Sequence, residues 1–114
     1  MPIKISSRKS KGREFQKWII KKLIEILGID PEDIENRSMG SAGEDVIMSK
    51  AARDLFPFSI EAKAQERVNV WNSMEQARSN AKGYEPIVFI KRNRHKPLVL
   101  LDAEYFIKMN KKEE

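Results

Sequence analysis

Apolar residues at Phe15, Trp18, Ile19, Leu23 and Ile26 recur three and four positions apart, the spacing that lines one face of an α-helix. Ile20, Ile24 and Leu27 widen the stripe, so a helix over 12–27 is expected to meet two surfaces, with Gly28 as its C-terminal cap. Asp30-Pro31-Glu32-Asp33 reads as a turn that opens a new element. Short strands fit 34–39 and 45–48, on either side of a Gly40-Ser41-Ala42-Gly43 turn, and 50–55 reads as a loop. Over 57–64 polarity alternates: Phe58, Ile60 and Ala62 share one face, Ser59, Glu61 and Lys63 the other. A helix over 72–82 carries Met74, Ala77 and Ala81 as its stripe and closes at Gly83. The unbroken apolar runs 87–90 and 98–101 predict strands buried on both faces. Asp102 then caps a last short helix running through Lys108. The predicted order is α-β-β-β-α-β-β-α, an α/β chain with no internal repeat.

Composition narrows the class. The chain has 114 residues, 34% of them charged and 40% apolar, which suits one soluble globular domain. Residues 1–11, rich in Ser and Lys, are expected to form a flexible basic arm, 12–110 the domain and 111–114 a charged tail. Charge interrupts the apolar stretches, as Lys21 and Lys22 follow Trp18-Ile19-Ile20, so no membrane span is expected. The basic N-terminus lacks an apolar core and a small-residue cleavage site, so no secretory signal is expected either. There is no cysteine, hence no disulfide, thiolate metal site or Cys nucleophile. The expected location is the cytoplasm, of a prokaryote or a phage-infected host.

Net charge is +5, but its distribution says more. Residues 1–22 hold Lys4, Arg8, Lys9, Lys11, Arg13, Lys17, Lys21 and Lys22 against Glu14 alone, which is +7 from side chains. A second cluster, Arg92, Arg94, His95 and Lys96, lies between two apolar runs and reads as a hairpin tip. Clusters of this kind neutralise phosphates and release counterions, so nucleic acid is the leading partner; solubility is the plainer alternative.

Against this basic background the acids are informative. Glu61 and Lys63 leave the same face of one strand, and Asp45 opens the strand before it, just after the glycine turn. Were those strands paired antiparallel, Asp45 and Glu61 would converge at one end of the sheet. Close carboxylates repel unless a cation lies between them, and hard oxygen ligands select Mg²⁺ or Mn²⁺. A neighbouring lysine suits metal-assisted phosphodiester hydrolysis. Glu14 falls on the polar side of the first helix, near Lys21 and Glu25. Each residue alone also has an ordinary reading: a solvated first-turn glutamate, a turn aspartate, the polar face of an exposed strand. His95, the only histidine, reads as a surface or phosphate-contacting residue, and Trp18 and Trp71 as packing residues. No P-loop glycine pattern, zinc-ligand set or Ser/His/Asp triad is present.

Taken together, Glu14 on the first helix, Asp45 after a Gly/Ser turn and Glu61-Ala62-Lys63 on the next strand resemble the PD-(D/E)XK nuclease superfamily. The run from Arg37 through Ser38, Ser41 and Gly43 to Asp45 is similar to the corresponding stretch of archaeal-type Holliday junction resolvases. The similarity spans about residues 12–101, although Gly43-Glu44 stands where a proline often precedes the aspartate. The resemblance implies a restriction-endonuclease-like core with a mixed five-stranded sheet flanked by helices. It implies metal binding by Glu14, Asp45, Glu61 and the main-chain carbonyl of Ala62, with Mg²⁺ as cofactor and Mn²⁺ able to substitute. Lys63 would activate water and stabilise developing charge, and Gln76 would support the site. Glu44, on the opposite strand face from Asp45, would play a supporting part. Arg8, Lys9, Lys11, Arg13, Arg37, Ser41, Arg92, Arg94 and Lys96 would contact DNA. The implied partners are a branched, four-way DNA and a second copy of the chain, with no nucleotide cofactor. A restriction-like or repair nuclease on other DNA, and a DNA-binding module without catalysis, are the competing readings.

Overall fold

The structure is a computed structural model and describes residues 5–38 and 40–113. It is mixed α/β. Helix α1 (Ile5–Leu27) buries Phe15, Ile19 and Leu23, one residue per turn along a single face, as the periodicity predicted. The helix starts at Ile5, so of the expected arm the segment 5–11 continues the helix instead, and residues 1–4 lie outside the described residues. The segment 5–11 contains no Gly or Pro, which lets the helix extend outward without a core to support it. The apolar stripe outlasts the surface it meets: Ile26, read as part of it, is exposed. Gly28, at φ 73°, ends the helix by donating to the Ile24 carbonyl at 3.1 Å.

A 3₁₀ turn (Pro31–Asp33), capped by the Asp30 side chain, leads into strand β1 (Ile34–Asn36). Strand β2 (Val46–Met48) pairs with β1 antiparallel, Glu35 opposite Ile47. Both strands are shorter than expected, and Met39 lies outside the described residues. The segment Lys50–Leu55, read as a loop, is helix α2. Ser49 caps it, its hydroxyl accepting from Ala52 N–H at 3.3 Å, and Lys-Ala-Ala-Arg supplies strong helix formers. Phe56 before Pro57 stops it, because a residue preceding proline is pushed out of the helical region.

Strand β3 (Phe58–Ala64) is joined through helix α3 (Val70–Asn80) to strand β4 (Glu85–Lys91), which runs parallel to it with Glu61 beside Val88. Strand β5 (Leu98–Leu100) returns antiparallel to β4, and helix α4 (Ala103–Met109) follows, capped by Asp102. The strands therefore form two sheets, β1-β2 and β3-β4-β5, where one five-stranded sheet was expected. A backbone hydrogen bond from Asp45 N–H to the Ile60 carbonyl, 3.0 Å, links them.

The main core lies between α1 and one face of β3 and β4, around Ile19, Val46, Ile60 and Ile87. A smaller core forms on the opposite face, where Met74 and Ala77 of α3 meet Val88. With helices on both faces, β3 buries its polar side too, including Ser59 and Glu61. Strand β5 departs from expectation, since Leu98 and Val99 are exposed rather than buried on both faces. As an edge strand it has β4 on one side only, so its apolar run exceeds what this chain covers. Trp71, read as packing, is 79% exposed at the start of α3. Trp18 is partly exposed and stacks on Phe15 with 6.1 Å between ring centroids.

Candidate active site

Three short-range devices bring the acids together. Gly43 has φ 110°, a conformation L side chains avoid, and a Cβ there would lie 3.0 Å from the Arg37 guanidinium carbon. That glycine lets Arg37 fold back, with its Nε donating to the Glu44 carbonyl. The next residue, Asp45, then docks on β3. Its N–H donates to the Ile60 carbonyl, and its Oδ2 accepts from Ala62 N–H at 2.7 Å. Alternate residues of a strand direct both backbone groups to the same neighbour, so the Ala62 carbonyl also faces this seam rather than β4.

Glu61, 4% exposed, lies beside Asp45. Its Oε1 is 3.4 Å from Lys63 Nζ, so the two-residue strand spacing does place them on one face. Its Oε2 accepts from Asn80 Nδ2 at 3.4 Å, from the last residue of α3. Gln76, the residue expected to support the site, sits one helical turn earlier and lines the cleft. Asn80 went unnoticed in the sequence, although its i+4 spacing from Gln76 puts both on one helix face.

The electrostatics are those of an anionic pair short of positive charge. Burial pushes the Asp45 carboxyl above its ordinary value, against the pull of Ala62 N–H and of Lys63. Burial also raises Glu61, and the charge of Asp45 raises it further, while Lys63 and Asn80 oppose the shift. Two like charges held this close out of water favour a state in which one carboxyl keeps a proton. Two hard oxygen donors with a backbone carbonyl at the same seam fit a small divalent cation, whose charge would replace that proton.

The pair lies in a cleft of about 1290 Å³ between the outer half of α1, the β3 end and the β4–β5 hairpin. Glu14 lines it from α1 as an exposed residue. Among the described residues no three His, Asp or Glu side chains gather as a ligand set, so Glu14 shares the cleft without joining the pair. Arg8, Lys11, Ser41 and Arg92, expected as DNA contacts, line the cleft, and Lys17 and Lys21 of the basic N-terminal cluster add to its charge. Lys9, Arg13, Arg94 and Lys96 are exposed outside its lining. Arg37 is half-buried, its Nε spent on Glu44. The basic hairpin tip forms as expected, with Arg94 at φ 66° and Asn93 N–H donating to Glu66 Oε2 at 2.8 Å. Buried Arg53 was also missed; its Nη2 is 2.9 Å from Glu44 Oε1.

The chain matches no protein-family model, no curated protein and no solved structure. Among the described residues no helix is long and apolar enough to cross a membrane.

Proposed function

We propose that the protein is a metal-dependent DNA endonuclease of the PD-(D/E)XK type, acting on four-way junctions by paired, symmetric nicks. What carries this reading is half-buried Asp45 paired with buried Glu61, with Lys63 beside them, set in a cleft whose walls are cationic. A basic cleft alone would suit any polyanion, and a desolvated acid pair alone would be a liability to folding. Their coincidence has a simple account if a divalent cation bridges the carboxylates to a phosphate. On this reading the two sheets, meeting at Asp45 and Ile60, are parts of one restriction-endonuclease-like five-stranded core.

Asp45, Glu61 and the Ala62 carbonyl would hold Mg²⁺, or Mn²⁺ in its place, with Glu14 facing them across the cleft. The ion would act as a Lewis acid that polarises the phosphodiester. Ala62 N–H and Asn80 fix the two carboxylates, leaving Asp45 Oδ1 for the cation. Lys63, part-buried beside Glu61, would donate to a phosphate oxygen as negative charge builds there. Arg8, Lys11 and Arg92 would neutralise flanking phosphates, which reads backbone shape rather than sequence.

Two nicks related by symmetry call for two sites, which a C₂ dimer supplies. The partner in that dimer would be a second copy docked on β5 and α4, where Leu98, Val99, Phe106, Ile107 and Met109 are exposed.

One observation favours a second reading, a DNA-binding module without catalysis: Glu14 stands apart from the acid pair. A labelled four-way junction and a matched duplex, each incubated with Mg²⁺ and with EDTA, separate the readings. Paired nicks on the junction alone, and only with metal, are expected. Equal cutting of the duplex would point to a repair or restriction-like nuclease, and binding without cutting in Mg²⁺ or Mn²⁺ to the module. Asp45→Ala and Lys63→Ala should each lower the cleavage rate at least about 10²-fold while DNA affinity in EDTA persists. Wild-type rates from Lys63→Ala would remove that lysine from the site.

A further inference from the structure

No strand ladder holds Asp45 against Glu61. The two residues belong to segments of different sheets, joined at the seam by hydrogen bonds of Asp45 itself. Something else must set the spacing between the sheets, and Arg53 of α2 is placed to do so. Its guanidinium, buried, donates from Nε to the Met48 carbonyl at the end of β2, 3.3 Å. It donates from Nη1 to the Phe58 carbonyl at the start of β3, also 3.3 Å. Its Nη2 donates to Glu44 Oε1 at 2.9 Å, and its face lies over the Tyr84 ring, 4.5 Å from the centroid, just ahead of β4. One planar group thus touches both sheets and the residue before Asp45.

Glu44 is held from both ends. Arg53 takes its carboxylate, and Arg37 Nε takes its carbonyl, which belongs to the peptide bond leading into Asp45. Glu44 Oε2 is buried with no hydrogen-bond partner. Stability gives little reason for such an arrangement, because a buried ion pair is often no better than apolar packing of the same size. A rigid fork with fixed donor directions does give positional definition.

We infer that Arg53 and Glu44 are positioning residues for the acid pair: they fix the separation of Asp45 from Glu61 and so the affinity of that pair for a divalent cation. This rests on the metal-site reading above. Asp45 follows Glu44 on the chain, and Glu61 lies on the strand whose first carbonyl Arg53 holds, so neither Arg53 nor Glu44 needs to touch the ion.

The test is Mn²⁺ binding by the full chain, followed by the electron paramagnetic resonance of free Mn²⁺. Thermal melting and DNA affinity in EDTA are measured alongside. Arg53→Lys keeps the charge but loses the fork, and Glu44→Ala removes the strut. Both are expected to raise the Kd for Mn²⁺ about 10- to 100-fold, the range seen when groups supporting metal ligands are removed. DNA affinity in EDTA should stay within about twofold, since neither residue lines the cleft. Glu44→Gln, whose amide oxygen still accepts from Arg53, should bind Mn²⁺ within a few-fold of wild type; should Arg53→Lys not fold, the contrast between Glu44→Gln and Glu44→Ala carries the test. Folded variants that melt lower yet bind Mn²⁺ as wild type does would reduce the pair to a fold element and overturn the inference. Wild-type protein that binds no Mn²⁺ would end the metal-site reading and the inference with it. Loss of binding in Asp45→Ala, with Arg53→Lys and Glu44→Ala unaffected, would sink the inference alone.

Discussion

Asp45 and Glu61 each hold a proton more tightly in the folded protein than in the unfolded chain, because burial disfavours ionisation of both and the charge of Asp45 disfavours that of Glu61 further. A raised carboxyl pKa contributes stability below the ordinary values of 3.8 for Asp45 and 4.5 for Glu61, and that contribution is lost as pH rises through the folded-state values. Metal-free protein at neutral pH therefore carries the cost of this pair. Asp45→Asn keeps an oxygen for Ala62 N–H and removes the repulsion, so in EDTA at pH 7 it should melt higher than wild type. The difference should vanish below about pH 3, where Asp45 is neutral in the folded and unfolded chains alike. Melting curves across pH, with and without Mg²⁺, check the sign; a variant less stable than wild type at pH 7 would mean the pair is already compensated. At this scale the shared face of Glu61 and Lys63 was legible because strand alternation is local geometry, whereas Asp45 meets them through its own hydrogen bonds to β3 and not through the antiparallel strand pairing expected. Asn80 and Arg53 were not legible, since their roles depend on which surface α3 and α2 meet.

Elements follow the same division. The spacing of Phe15, Ile19 and Leu23 identified α1 and its buried face, because a helix repeats every 3.6 residues whatever it packs against. Ile19, fully buried between α1 and the sheet, is the residue on which that docking most depends. Ile19→Ala should cost about 2–5 kcal/mol in chemical denaturation. A cost under 1 kcal/mol would mean α1 is not docked as described. The missed helix α2 has six residues, too few to show a period. Its signals were Ser49 as cap and Pro57 as stop, which a loop can also contain. Strand β5 was assigned correctly but its burial was not, because an apolar run reports what a strand can bury and not whether this chain supplies the cover.

For the whole molecule, the uncovered apolar surface and the charged cleft lie on separate elements. Leu98, Val99, Phe106 and Ile107 belong to β5 and α4, whereas the cationic lining comes chiefly from α1 and the hairpin tip. A dimer formed through β5 and α4 would therefore leave the cleft open to DNA. Sedimentation of the wild type should report a dimer, and Phe106→Glu combined with Ile107→Glu a folded monomer. An unchanged sedimentation coefficient in that double variant would place the interface elsewhere, and a monomeric wild type would remove the symmetry that the proposed paired nicking requires.

By itself the sequence determined what local periodicity and charge can encode: the α/β order, the face of α1 that is buried, the shared face of Glu61 and Lys63, and a basic chain suited to a polyanion. Tertiary structure alone decided that Asp45 reaches Glu61 across a seam between two sheets. It also decided that α3 covers the polar face of β3, and that a buried arginine from an unpredicted helix spans the gap. The physical reason is range. Periodicity and capping act within a few residues, whereas the acidity of a carboxyl and the reach of a guanidinium depend on neighbours that only packing brings near.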